Sequence, residues 1–204
     1  MKPSKRLFDL ICALILGCFL LPVIVLIACG ILVLDGRPIF YISERMRTSK
    51  EGFALVKFRT MKPALADMGV TGGDKSERVT WTGKFLRRLR LDEVPQLWNI
   101  LRGDMSFVGP RPPLRQYVER FPEIYSEVLL SRPGVTGLAS IIYHGHEEFL
   151  LGGCSTTEET DQVYSRSCIP RKAHLDLIYQ ERRNICLDIL IMLKTVLRRL
   201  PLRY

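Results

Sequence analysis

The sequence contains no CxxC, no Cys–His pair at metal-binding spacing and no HExxH. Its six cysteines stand at 12, 18, 29, 154, 168 and 186, three of them inside an apolar run. This excludes a zinc module and a disulfide framework, and reads as small core or lipid-facing residues in a reducing compartment. Three histidines, His144, His146 and His174, add no further ligand pattern. No recognisable nucleic-acid module is present, so the basic charge has to be explained by another partner. No charged residue occurs between Leu10 and Leu34, and no lysine or arginine between Pro133 and Ser165.

What is present begins with the uncharged run. Its 25 residues exceed the ~20 that a helix needs to cross a bilayer. Lys2, Lys5 and Arg6 precede it like the basic start of a signal peptide, but the run is longer than a signal core and no A-x-A site follows. Basic residues flank both ends, with Arg37, Arg45, Arg47 and Lys50 on the far side. Positive-inside logic therefore puts both flanks on the cytoplasmic face. One straight span cannot do that. A helix that enters, bends at Pro22 and returns can, although prolines are also tolerated in simple spans. The expected organisation is a membrane helix over 1–36 and one folded domain over 37–204, mixed α/β and helix-rich with a small sheet.

The 204 residues carry a formal net charge of +9, which suits anionic lipid headgroups or phosphorylated substrates. Much of it lies in residues 75–115, where nine Lys/Arg meet four Asp/Glu. Residues 53–61 alternate as a half-buried strand, with Lys57 and Arg59 on one face. These two cations could clamp a diphosphate or be the wet side of a sheet edge. Residues 62–80 read as a mobile polar loop around Gly69, Gly72, Gly73 and Asp74. Next, the pattern predicts a helix from Thr82 or Gly83, with Phe85, Leu86 and Leu89 inward and Arg87, Arg88 and Arg90 outward. A second helix is expected near Asp92, because Pro95 fits only a first turn. Asp92 and Glu93 would sit at its N-terminus, either as caps or beside a phosphate. Neighbouring helical residues point about 100° apart, so the two acids need different roles. Pro110 and Pro112 stiffen the backbone around Arg111, which suits an anion clamp or a rigid surface loop. Leu187–Leu202 suits an amphipathic helix at the lipid interface or packed on the core.

Four segments together carry a resemblance: KRLFDL (5–10), KFRTM (57–61), LDEVPQLWNILRGDMSFVGPRP (91–112) and RPGVTGLA (132–139). They resemble the monotopic phosphoglycosyl transferases, the bacterial sugar transferase superfamily. The resemblance covers residues 5 to about 140 and is looser from Arg171 to Leu197. It implies a membrane enzyme that moves a phosphosugar from a UDP-sugar to polyprenol phosphate. The products would be polyprenol-diphosphate-sugar and UMP, formed as the first membrane step of a bacterial glycoconjugate pathway. It further implies Asp92 as nucleophile, Glu93 as the residue that positions Mg²⁺, and Arg111 at the nucleotide site. The first helix would be re-entrant and both its ends cytoplasmic. Lys57, Arg59, Arg87, Arg88 and Arg132 are further candidates for phosphate or headgroup binding. Nucleic acid is not an expected partner, membrane lipids are, and a homo-oligomer is left open. A non-catalytic scaffold of the same fold is the competing reading.

Three departures from the family pattern stand out. Leu21 precedes Pro22 where the family has serine, so a hydroxyl that could satisfy the broken backbone is gone. SIIYHGHEEF follows Ala139 where a Gln-Val-x-Gly-Arg-Asn-like run is expected. The cation-free stretch 133–165 holds Glu147, Glu148, Glu158, Glu159 and Asp161, and reads as a variable loop.

Overall fold

The computed structural model describes residues 3–63 and 77–197. Gly69, Gly72, Gly73 and Asp74 of the expected polar loop lie outside the described residues, as do Arg198 and Arg199. The fold is helix-rich, with two small two-stranded sheets.

Helix α1 (Pro3–Leu34) is 32 residues long and includes Pro22. The helix is not interrupted at Pro22, in contrast to the expected break. A single proline removes one hydrogen bond and leaves the neighbouring ones to carry the helix. Most of α1 is apolar and exposed, yet both of its ends are tied to the rest of the chain. Near the start, Arg6 donates to the carbonyls of Ile100 (2.6 Å) and Leu101 (2.9 Å) in the last turn of a helix, where the dipole favours a cation. Lys5 pairs with buried Asp188 at 2.6 Å. Near the other end, Ile31 joins Phe58 and Leu86 in a buried cluster, each such side chain contributing about 1.5–3 kcal/mol.

After the exit turn, β1 (Phe40–Met46) and β2 (Gly52–Phe58) form an antiparallel hairpin pairing Phe40 with Phe58 and Met46 with Gly52. Phe53 and Leu55 are buried on one face of β2, and Phe58 on the other. Helix α2 (Trp81–Leu89) starts at Thr80, whose hydroxyl accepts from Gly83 N–H at 2.9 Å. Gly83 sits where a Cβ would strike the Thr60 backbone, so only glycine lets α2 approach β2 this closely. On α2 only Leu86 of the three expected core residues is buried. Phe85 is 56% exposed and Leu89 51%, in line with Trp81 at 78%. The reason is spacing: 81, 85 and 89 form one i, i+4 stripe, and Leu86 points the other way into the Ile31–Phe58 cluster.

The chain continues through a 3₁₀ turn at Leu91–Glu93 to α3 (Gln96–Arg102) and β3 (Ser106–Val108). Helices α4 (Arg115–Arg120) and α5 (Pro122–Val128) lead to β4 (Gly134–Thr136), parallel to β3. At Gly109, Gly134 and Gly137 an added Cβ would collide with backbone, so the GPRPP and RPGVTG segments lie main chain on main chain. Helices α6 (Leu138–Ile142), α7 (His144–Gly152) and α8 (Thr157–Val163) follow. The acidic stretch is thus largely helical rather than a loop. Thr156 caps α8 by accepting from Glu159 N–H at 3.1 Å, and Glu158 and Glu159 lie in its first turn, where the helix dipole favours acids. A π-turn (Tyr164–Cys168) precedes α9 (Ile169–Arg182), and α10 (Ile185–Val196) closes the described chain. Helix α10 packs on the core through Ile191 and leaves Ile189, Leu190, Leu193 and Val196 exposed.

Candidate active site

The site is built where α2 meets α3. Arg90, at φ 59°, takes the left-handed conformation that ends α2, the only non-glycine among the described residues with positive φ. Its N–H bonds back to Arg87 and Leu86. The chain then turns through Leu91–Glu93, which places Asp92 and Glu93, both 8% exposed, on a cavity of about 1110 Å³. The two acids therefore precede α3 in a turn of their own instead of forming its first turn. Pro95 stands at the entry of α3, where its missing N–H costs nothing.

Asn99, fully buried in α3, locks this turn against β2. Its Nδ2 donates to Ala54 O at 2.8 Å and its Oδ1 accepts from Val56 N–H at 3.1 Å. Lys57, the next residue, continues the face of Phe53 and Leu55 and so points inward. Its ammonium donates to Glu93 Oε1 at 2.8 Å, and Arg111 Nη2 donates to the same oxygen at 2.9 Å. Arg111 comes from the stiff turn after β3, and its side chain remains 40% exposed.

This arrangement separates the two carboxyls electrostatically. Burial alone would raise the pKa of Glu93, but Arg111 and Lys57 hold it well below the usual carboxylate range. Asp92 is pushed up, by burial first and by the charge of Glu93 second, while Lys57, Arg87 and Arg111 oppose the rise. Burial also lowers the pKa of Lys57, against the pull of Glu93. Asp92 makes no hydrogen bond or ion pair with another described residue.

Of the other residues expected at the site, Arg87 and Arg88 line the cavity, and Arg87 Nε donates to Thr60 Oγ1 at 2.9 Å. Arg59 also borders it, but its Nη2 is engaged by the carbonyls of Asp35 and Gly36, both at 2.7 Å. It ties down the exit of α1. Arg132 lies outside the cavity, near Arg6 and Arg47, and burial followed by these two charges lowers its pKa. The cause is the direct main-chain packing of 133–134 on Gly109, which turns the preceding side chain toward the start of α1. The cavity also takes in Arg45, Arg90, His144, Glu147, Lys172 and Asp176, none of which was expected at a site. Arg90 Nη2 lies 2.6 Å from His144 Nε2, bringing the departing segment to within one side chain of the Asp-Glu turn. Adjacency to Asp92 could have flagged Arg90. No signal in the sequence linked the C-terminal three to it.

No group of three or more His, Cys, Asp or Glu able to cage a metal is found among the described residues. Two carboxylates beside a cationic wall nevertheless fit Mg²⁺ that arrives on a diphosphate, because Mg²⁺ commonly takes one or two carboxylates and completes its shell with phosphate and water. Glu93 is the residue that would hold it.

The sequence profile of the bacterial sugar transferase family matches residues 1–201. The chain belongs to this family. It is similar to the uncharacterized sugar transferase EpsL of Bacillus subtilis, 33% identical over 194 residues, covering 94% of this chain and 85% of the relative. It is also 33% identical over 197 residues to the UDP-glucose:undecaprenyl-phosphate glucose-1-phosphate transferase of Caulobacter vibrioides, covering 94% of this chain and 68% of that one. The undecaprenyl-phosphate glucose phosphotransferase of Komagataeibacter xylinus is 32% identical over 203 residues, covering 96% of this chain but 35% of its own length. The chain therefore spans only about a third of some relatives and most of others. The family is one of transferases, and two of the three relatives named here carry undecaprenyl phosphate in their names.

Proposed function

We propose that this protein transfers a phosphosugar from a UDP-sugar to a membrane polyprenol phosphate, through a covalent intermediate on Asp92. The observation that carries this reading is the unequal pair: Glu93 is fixed by two cations through one oxygen, and Asp92 stands beside it without a partner among the described residues, in a cavity walled by arginines. A raised pKa makes Asp92 the more basic carboxylate and so the better nucleophile once ionised. An Asp92 oxygen attacks the sugar-linked phosphorus. The bond from that phosphorus to the bridging oxygen breaks, and its electron pair leaves with UMP. A polyprenol phosphate oxygen then attacks the same phosphorus and releases the Asp92 carboxylate. Arg87, Arg88 and Arg111 offset the donor's charge, without which two anions would repel. Mg²⁺, when bound with the donor, would add to that neutralisation.

The reading includes a re-entrant helix at the cytoplasmic face of the bacterial inner membrane. Helix α1 is long and apolar enough to cross a membrane. Its anchored parts, though, are close together: Ala13 belongs to the core that holds Ile100 and Phe107, and Ile24 already packs against the Phe58–Leu86 cluster. The free stretch between them rises only about 16 Å, roughly half of the ~30 Å hydrocarbon layer. Attachment to one body at both points supports a helix whose two ends stay on the same side. The exposed Trp81, Phe85 and Leu89 stripe and the outer face of α10 would then rest in the interface.

The deciding experiment is the half-reaction. Donor alone should release nucleoside monophosphate up to one equivalent per enzyme, and leave a phosphosugar mass on the peptide containing Asp92. Asp92→Asn should lose the adduct and turnover. An adduct mapped to another residue, or near wild-type turnover by Asp92→Asn, would reject Asp92 as the nucleophile. A dead Asp92→Asn with no adduct trapped in the wild type would favour direct transfer, with Asp92 as general base.

A further inference from the structure

The cavity extends well beyond the Asp-Glu turn, and its far wall differs in charge. At the near end Arg45, Lys57, Arg87, Arg88, Arg90 and Arg111 outnumber Asp92 and Glu93. The far wall is formed by α7 and α9, where Glu147, Lys172 and Asp176 line the same space. Lys172, 9% exposed, donates to Glu147 Oε1 at 2.8 Å and to the Tyr164 hydroxyl at 3.4 Å. Its ammonium also lies 5.1 Å from the centre of the Tyr164 ring. Asp176, one helical turn along α9, is 7% exposed, and its Oδ1 is buried with no hydrogen-bond partner among the described residues. Glu147 is near enough to Arg111 to help raise its pKa, after Glu93, so the two ends belong to one continuous polar track.

A buried carboxyl with an unmet oxygen destabilises the fold unless something fills the need. Burial pushes Asp176 up to about 7, with Lys172 only partly opposing, so its charged form is costly. The far wall carries three acids, Glu147, Glu148 and Asp176, against one lysine. It therefore does not attract phosphate, which the near end takes. It offers carboxyl acceptors and an ammonium donor spaced over one face, the set that recognises ring hydroxyls. Val128, Leu151, Ile169 and Ala173 complete the wall with apolar surface, as in most small-molecule sites.

We infer that Glu147, Lys172 and Asp176 form the subsite for the neutral, hydroxyl-bearing ring of the donor, with Asp176 accepting from a ring hydroxyl. This rests on the donor reading above. The hexose and the ribose share this chemistry, and the test separates them. Calorimetric titration of UDP-glucose, UDP-galactose and UMP into the full chain, carrying Asp92→Asn so that no turnover intervenes, reads binding directly. Adding Asp176→Asn or Glu147→Gln should weaken both UDP-hexoses about tenfold or more. Unchanged UMP affinity then assigns the hexose, and a parallel loss for UMP assigns the ribose.

Stability gives a second readout. Asp176→Asn removes a costly buried charge, so its melting temperature at pH 8 should equal or exceed that of the parent even as donor affinity falls. A residue with only a structural role would lose stability without this selective loss of affinity. If Asp176→Asn fails to fold, the more exposed Glu147→Gln carries the test. Donor and UMP affinities within twofold of the parent in whichever of these variants folds would overturn the inference. Failure of the wild type to release nucleoside monophosphate from any donor would instead reject the reading beneath it, and the binding measurements would still judge the subsite.

Discussion

Asn99 links the fold to the chemistry, and replacing it tests that link. Asn99→Ala deletes hydrogen bonds of 2.8 and 3.1 Å to β2 and strands the N–H of Val56 beside α3. Each bond contributes about 1 kcal/mol net, and a stranded buried donor costs about 1–3 kcal/mol, so the loss should be roughly 2–4 kcal/mol. For a chain of this size that lowers the apparent melting temperature by about 5–15 °C, read by thermal unfolding in detergent or nanodiscs. Asn99→Asp is the sharper variant. It keeps the acceptor for Val56, loses the donor to Ala54, and sets a carboxylate next to Asp104 Oδ2, now 3.4 Å from Nδ2. It should be at least as damaging as alanine, and more so as pH rises and the new acid ionises. Nucleoside monophosphate release should fall in both, because Lys57 follows Val56 directly and loses its register with Glu93. A neutral Asn99→Asp, or an unstable Asn99→Ala with full activity, would refute the claim that this side chain positions the site.

The pH profile of kcat/KM should show an acid limb above the ordinary aspartate range, because Asp92 must be ionised and its pKa is raised; activity is lost as pH falls through that value. Glu93→Gln should move the limb down by removing the neighbouring charge, and Lys57→Met should move it up; shifts in one common direction would contradict the assignment. Excess chelator should abolish turnover and Mg²⁺ restore it, whereas full rates in chelator would remove the metal from the reaction. Cysteines introduced at positions 4 and 50 should label from the same, cytoplasmic side, and labelling from opposite sides would sink the re-entrant helix.

The sequence made legible what depends on local pattern. The alternation of Phe53 and Leu55 gave β2, the expected start at Thr82 or Gly83 came within two residues of α2's first residue, Trp81, Pro95 marked the entry of α3, and the GPRPP spacing set Arg111 on a rigid segment. Misreadings came where tertiary contact decides. Phe85 and Leu89 look like core by composition, but the packing of Gly83 on Thr60 fixes the rotation of α2 and turns them outward. Arg59 and Lys57 share a strand face, and only the exit of α1 diverts Arg59 to carbonyls while Lys57 reaches Glu93. The acids of 147–161 were hidden by composition, although Thr156 and Glu159 have the spacing that starts a helix. Lys172 and Asp176 lie far from the motif in sequence, and nothing short of the fold brings them to its cavity.

Adjacent acids with opposite pKa shifts need an explanation, since burial is equal for the two and would drive both upward. The answer lies in direction. Consecutive residues of a 3₁₀ turn project about 120° apart, so one cannot share the other's partners. Arg90, in its left-handed conformation, fixes how that turn leaves α2, and Asn99 fixes where it meets β2. Glu93 is thereby aimed at Lys57 and Arg111, whose donors converge on a single oxygen, while Asp92 is aimed into open cavity. The cations that fix Glu93 also keep Asp92 ionisable, yet they do not bond to it. A nucleophile needs that combination, charge without a partner, and swapping the two acids would destroy it. Asp92→Glu with Glu93→Asp retains every charge in the cavity, but it shortens the arm that reaches Lys57 and Arg111 and lengthens the one that must attack. The doubly exchanged protein should fold, bind donor and fail to turn over; wild-type turnover would mean that charge alone, rather than aim, sets the division of roles.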